Sequence, residues 1–267
     1  MFALWSHTLK CHGAPRSSES VLTFFGNRLP RGVRWAKIRW RMGEADTIRG
    51  VWRGALEIMW RYPLATLAPA VVLGAIGEVP TYLIDERRLL DLVVSVVSAY
   101  IAYYLYLAYA EGLVGHAERG TRRLGPRDVL EEMAGAVPYV PSVLVAALIA
   151  FGISTMATGL LVVPGVWLYT RWSLTTPVIR DLGVGPIVAT RRSNALVRGR
   201  FWFVFMTASV AYYSEGTLTH AGAAAAGFVT ESYTWGEWAG GSLAATLVMP
   251  LAAFATSLAH SSAIKRG

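Results

Sequence analysis

The stretch Tyr62–Ile84, YPLATLAPAVVLGAIGEVPTYLI, contains a single charged residue, Glu78, in an otherwise largely apolar run. As a helix it is long enough to cross a hydrocarbon core of roughly 30 Å. Immediately before it, Asp46 and Thr47 offer an N-cap. Ile48, Val51, Trp52, Ala55, Met59 and Tyr62 then follow at helical spacing, with Arg49, Arg53 and Glu57 on the opposite side. That pattern predicts an amphipathic helix lying in the membrane interface, with Trp52 and Trp60 at headgroup depth. After the stretch comes a charged turn, Asp85 to Arg88, and then a second span, Leu92–His116.

The whole chain has the same character. Its 267 residues are 54% hydrophobic and 16% charged, with a mean hydropathy of +0.41. An average soluble domain carries roughly 25% charged residues, so a soluble surface is in short supply. Disorder, collagen and a disulfide scaffold are excluded by the apolar mass, the lack of a tripeptide period and the single cysteine, Cys11. The predicted class is all-α, a polytopic membrane helical bundle.

The first layout recurs twice. Gly125-Pro126 opens a second surface helix, followed by spans 138–157 and 160–179. Gly185-Pro186, 60 residues further on, opens a third, followed by spans 201–226 and 241–263. Six spans and three interfacial helices result, arranged as three parallel units of low mutual identity. Lys and Arg then divide 22 to two between the two sides, with Arg171 inside a span. Both termini are therefore expected in the cytoplasm, and the location is the plasma membrane of a prokaryote, multi-pass.

The net charge of +8 belongs to the leader. Residues 1–41 hold eight Lys/Arg against Glu19, and from Met42 onward 17 basic residues face 16 acids. We expect residues 1–41 to be a basic, disordered leader ahead of the true start at Met42, with 42–267 as the membrane domain. An organelle import signal and a basic arm on anionic lipid are the alternatives. No recognition motif surrounds these charges, so nucleic acid is not an expected partner. Membrane lipids and other membrane or cytoplasmic proteins are.

Residues 161–177, LVVPGVWLYTRWSLTTP, precede 185–199, GPIVATRRSNALVRG, and then Phe201-Trp-Phe-Val-Phe. This order resembles an uncharacterised six-span family related to the membrane domain attached to some glycerophosphodiester phosphodiesterases. The shared features are a proline–glycine turn, an in-membrane arginine, a helix-ending proline, and an alanine–arginine–serine helix closing on glycine and aromatics. The match is specific over Leu161–Phe205 and compositional from Met42 to Leu160. It implies a fold and a location. It carries over no catalytic residue, because nothing here corresponds to the phosphodiesterase barrel.

Ionisable groups inside spans are the candidate sites, since burying charge in lipid is costly. Glu78, Glu111, Arg171, Glu215 and His220 stand out. Arg171 lies roughly 12 Å and Glu111 roughly 7–8 Å from the same side, which predicts that they pair. Glu215 lies deeper, with Tyr212 and Thr219 on its face, as a protonated carboxyl or a proton- or cation-coupling group. His220 is roughly 140° away around that helix, so the two form no ligand pair. No HExxH, GxSxG or phosphate-loop motif occurs, so no metal, cofactor or catalytic residue is expected. Gly222, Gly227, Gly236, Gly240 and Gly241 look like helix-contact and loop residues, and Tyr233, Trp235 and Trp238 like an interface belt in the last outer loop.

Three functions compete. The first is a non-enzymatic membrane scaffold or accessory module. The second is a small permease or transporter subunit with an intramembrane polar site around Glu215 and Arg171. The third, an intramembrane lipid enzyme, lacks a constellation of groups. A cavity reaching Glu215 favours the second and a solid bundle the first.

Overall fold

A computed structural model describes residues 47–83, 89–120, 124–230 and 233–266. The leader 1–41, the turn 85–88 and Glu231 lie outside them, as does the side chain of Glu78. Helices fill the described residues, with no strand among them.

Helix α1, Ile48–Arg61, starts where Thr47 Oγ1 accepts from Gly50 N–H at 3.0 Å. Its stripe of Val51, Gly54, Ala55 and Ile58 is buried. This apolar stripe was expected to face lipid, yet protein covers it, with Gly54 against Leu258. Pro63 then opens α2, Pro63–Leu83, where its missing N–H is harmless at a first helical position. The chain bends by 95° between the two helices.

Helix α3, Leu89–Arg119, returns alongside α2. Two of its tyrosines bond to α2's backbone. Pro69 has no N–H to offer the Ala65 carbonyl, and Tyr109 Oη donates to that oxygen at 2.7 Å. Tyr106 Oη donates to Thr66 O at 2.8 Å.

Helix α4, Pro126–Ala136, has a Gly125 cap whose N–H donates to Asp128 Oδ2 at 2.7 Å. It does not separate from the next helix as the first surface helix does. A 3-10 turn, Val137–Tyr139, keeps the backbone helical into α5, Val140–Leu160. The expected span 160–179 is broken into α6, Val162–Trp172, and α7, Thr175–Leu182. Pro177 explains the break, because its ring conflicts with the carbonyl four residues earlier, at Ser173. Gly183, at a left-handed φ of 63°, closes α7 with its N–H on Ile179 O at 2.9 Å.

Helix α8, Pro186–Val197, buries Ala189, Ser193 and Val197 and leaves Arg191 and Arg192 exposed. Ser193 Oγ donates to Arg171 O at 2.7 Å, tying α8 to α6. The short α9, Phe201–Val204, passes through a π turn, Phe205–Ser209, into α10, Val210–Thr230. Helix α11, Tyr233–Arg266, packs on α10, α2, α3 and α1 and forms the centre of the bundle. Residues 233–240, read from the sequence as outer loop, are its first turns. There Trp238 Nε1 donates to Ala75 O at 3.3 Å rather than reaching outward.

A short helix followed by two long helical stretches thus occurs at α1–α3 and again from α8 to α11, whereas in the middle unit α4 runs on into α5 and the second stretch is divided into α6 and α7. The segments Pro126–Ala150 and Trp235–Lys265 are long and apolar enough to cross a membrane, and the bent pair of α1 and α2 would be a third. Large apolar side chains lie outside the bundle as well as in its core. Leu64, Val71, Val72, Ile76, Leu148, Leu243 and Leu247 are exposed, while alanines, tyrosines, Thr66, Thr170, Thr256 and Ser257 are buried. Small and hydroxyl-bearing residues between helices, with branched apolar ones outside, suit an apolar solvent.

Candidate functional site

Glu215 lies in the second turn of α10 and is 8% exposed, with Thr219 one turn on and also buried. Both line a small cleft of about 40 Å³. Gly74 and Gly77 of α2, Ala102 of α3 and Met249 of α11 form its walls, and exposed His220 also lines it. The two ionisable groups of α10 therefore share one cleft although they are not on one face. Thr219 Oγ1 is enclosed and has no hydrogen-bond partner among the described residues.

Behind Glu215 sits a group of tyrosines. Tyr212, one turn earlier, stacks on Tyr169 at 4.7 Å between centroids and meets Tyr103 edge-on at 5.2 Å. Tyr100 and Tyr104 share a 3.0 Å hydrogen bond between their hydroxyls. Tyr103 Oη lies 3.4 Å from Thr256 Oγ1 on α11.

A second polar region occupies the end of the bundle where α3 and α11 finish. Glu132 of α4 uses both carboxylate oxygens. Oε2 is 3.1 Å from His116 Nε2 of α3, and Oε1 accepts from the Arg180 guanidinium of α7. Arg180 also donates to Gly135 O and lies 5.0 Å from the Tyr139 ring centroid. Gly112 of α3 is what lets Glu132 so close, because a Cβ there would lie 1.7 Å from Glu132 Oε1. Glu118 accepts from Lys265 at 2.8 Å, and Arg200 donates to Ser262 O at 3.1 Å.

The expected Arg171–Glu111 pair is not formed. Glu111 Oε1 is 3.0 Å from His260 Nδ1 of α11, and the Arg171 guanidinium lies 4.0 Å from the Trp167 ring centroid, one turn back on its own helix. Similar depth suggested the pairing, but α11 places His260 beside Glu111, and cation–π contact with Trp167 meets the needs of Arg171 locally. Arg171 does not line the Glu215 cleft either. A double-mutant cycle measures this directly. Arg171→Leu and Glu111→Leu are expected to add within about 0.5 kcal/mol in unfolding free energy, as uncoupled sites do.

The sequence reading missed His260, His116, Glu132 and Arg180 as partners. His260 had a visible signal, since it falls inside the expected span 241–263 and is an ionisable group there. Glu132 and Arg180 had none, because each lies beside other charged residues, Glu131 and Asp181, in a segment that looks solvated.

Fold and site together define an all-helical bundle, with at least two helices long and apolar enough to cross a membrane and an enclosed carboxylate in a cleft. Comparison with known proteins adds no relative: no family model, curated protein or solved structure matches the chain.

Proposed function

We propose that the chain is a multi-pass plasma-membrane protein of the small-permease type, with six spans and both termini cytoplasmic, whose solute site is the Glu215 cleft. The observation that carries this reading is the buried carboxylate of Glu215, with the enclosed Thr219 hydroxyl beside it, on the wall of a cleft midway along the helices. An acid at that depth is expensive to maintain, and inside a membrane such groups commonly mark solute or ion pathways. The division of Lys and Arg, 22 to two, supports the orientation. The resemblance of Leu161–Phe205 to a six-span membrane domain supports the span count. The three interfacial helices of that reading fall at α1, α4 and α8.

The cleft suits a small cation, for which Glu215 supplies the charge and Thr219 an oxygen. Purified full-length protein in proteoliposomes, given a membrane potential and labelled methylammonium, tests this. Uptake is expected in the native protein and should fall at least about tenfold in Glu215→Gln, the loss of one charged hydrogen-bond partner. Uptake that is equal in both, or no greater than in empty liposomes, would return the protein to the scaffold class.

A further inference from the structure

Ion pairs at the end of this bundle differ in one respect. Glu132 engages partners through both oxygens, and Glu118 Oε1 takes both Lys265 and Ser261. The Glu111–His260 pair is different. His260 is 1% exposed, and its Nε2 is enclosed with no hydrogen-bond partner among the described residues. The same holds for Glu111 Oε2 and for Ser257 Oγ, one turn before His260. A buried pair kept only as a brace normally has its remaining lone pairs and protons satisfied.

Position adds a second observation. Thr256 precedes His260 by one turn of α11 and lies 3.4 Å from Tyr103 Oη. Tyr103 meets Tyr212 edge-on at 5.2 Å, and Tyr212 precedes Glu215 by one turn of α10. A column of polar and phenolic groups therefore runs from the Glu215 cleft to the Glu111–His260 pair.

We propose that Glu111 and His260 together hold one exchangeable proton that serves the Glu215 cleft, which makes the permease proton-coupled. This rests on the permease reading for its use, though not for the proton itself. Loading forms one O–H or N–H bond at Glu111 Oε2 or His260 Nε2, with water or hydronium as the donor. The Nδ1···Oε1 hydrogen bond spreads the added charge over both residues, release reverses the step, and no electron is transferred.

The neighbouring charges are otherwise engaged or turned outward. On α3, His116 faces Glu132 and Glu118 faces Lys265 of α11. On α7, Arg180 is held by Glu132, and Asp181 is exposed. Arg191 and Arg192 of α8 are exposed, as are Arg49, Arg53 and Glu57 of α1. Arg200, ahead of α9, is bonded to Ser262 O. Helix α5 carries no charged residue.

The test is proton counting on the purified full chain in weakly buffered detergent. The pH is stepped from about 8 to about 5, the range over which imidazole changes charge, and uptake is read with an indicator dye. The native protein is expected to take up about one proton more than Glu111→Gln or His260→Gln, and the double variant should fall short by that same single proton. Glu111→Asp, which keeps a carboxylate at the pair, is expected to restore uptake, and it serves if Glu111→Gln does not fold. Equal uptake in native protein and variants, a deficit in the double variant twice that of the singles, or no recovery in Glu111→Asp would overturn the proposal. The count needs no transport. A shared proton found without methylammonium uptake removes the permease reading and leaves the pair, and uptake without a shared proton removes the pair alone.

Discussion

Arg180→Leu is expected to destabilise the protein by about 3–5 kcal/mol, the range for breaking one side of a buried ion pair. The side chains of Arg180 and Glu132 are 14% and 13% exposed, so water cannot replace the lost partner freely. Glu132 would keep only His116, at 3.1 Å on its other oxygen, and the Gly135 carbonyl would lose its side-chain donor. Tyr139 would lose the guanidinium above its ring. The loss falls on the joint between α3, α4 and α7, which Arg180, Glu132 and His116 make together. Arg180→Leu combined with Glu132→Leu should recover much of the stability, because no buried charge is then left alone. Unfolding of the detergent-solubilised variants, followed by circular dichroism, gives both values. A single variant within about 0.5 kcal/mol of native would mean that the joint contributes nothing, as for an exposed pair.

Gly240→Leu is expected to cost at least about 3 kcal/mol, the upper end of the range for overpacking. A Cβ at Gly240 would lie 2.3 Å from Gly222 O and 2.4 Å from Ala226 Cβ. The first of these is backbone and cannot turn aside. Gly222 is constrained in the same way, since its Cβ would lie 2.7 Å from Ala244 Cβ and 3.0 Å from Gly240 O. Helices α10 and α11 touch backbone to backbone here, with Gly236 and Gly240 four residues apart on the contact, the small-residue packing that apolar solvent favours. A larger side chain must push the two helices apart, and α11 takes its contacts to α2 and α3 with it. Gly152→Leu on α5 is the matched control, because nothing lies within 4 Å of a Cβ there. Its unfolding midpoint should stay near native, and equal losses at the two positions would show that the close approach is not what matters.

The helices themselves were legible in the sequence because their signals are local. Thr47 caps α1, Gly125-Pro126 and Gly185-Pro186 open α4 and α8, and apolar runs set the lengths of α2, α3 and α5. Gly222 and Gly240 were correctly read as contact residues on composition alone, since only small side chains let helices meet closely. Pro177 announced a break, and the backbone places it one turn ahead, at Ser173 and Leu174.

Which side chain meets which was a different matter. Depth along a span can be counted from its end, and on that count Glu111 and Arg171 lie at similar depths. Depth says nothing about direction around the helix or about which neighbour stands there. Helix α11 stands beside Glu111 and offers His260, whereas Arg171 is met by Trp167 on its own helix. The π turn at Phe205–Ser209 adds to the difficulty, because it shifts the face of everything after it, Glu215 included. The fold's elements follow from interactions within a few residues, which sequence spacing encodes. The Glu111–His260 pair joins residues 149 positions apart, and the Glu215 cleft is bounded by four helices. Such contacts exist only once those helices have packed.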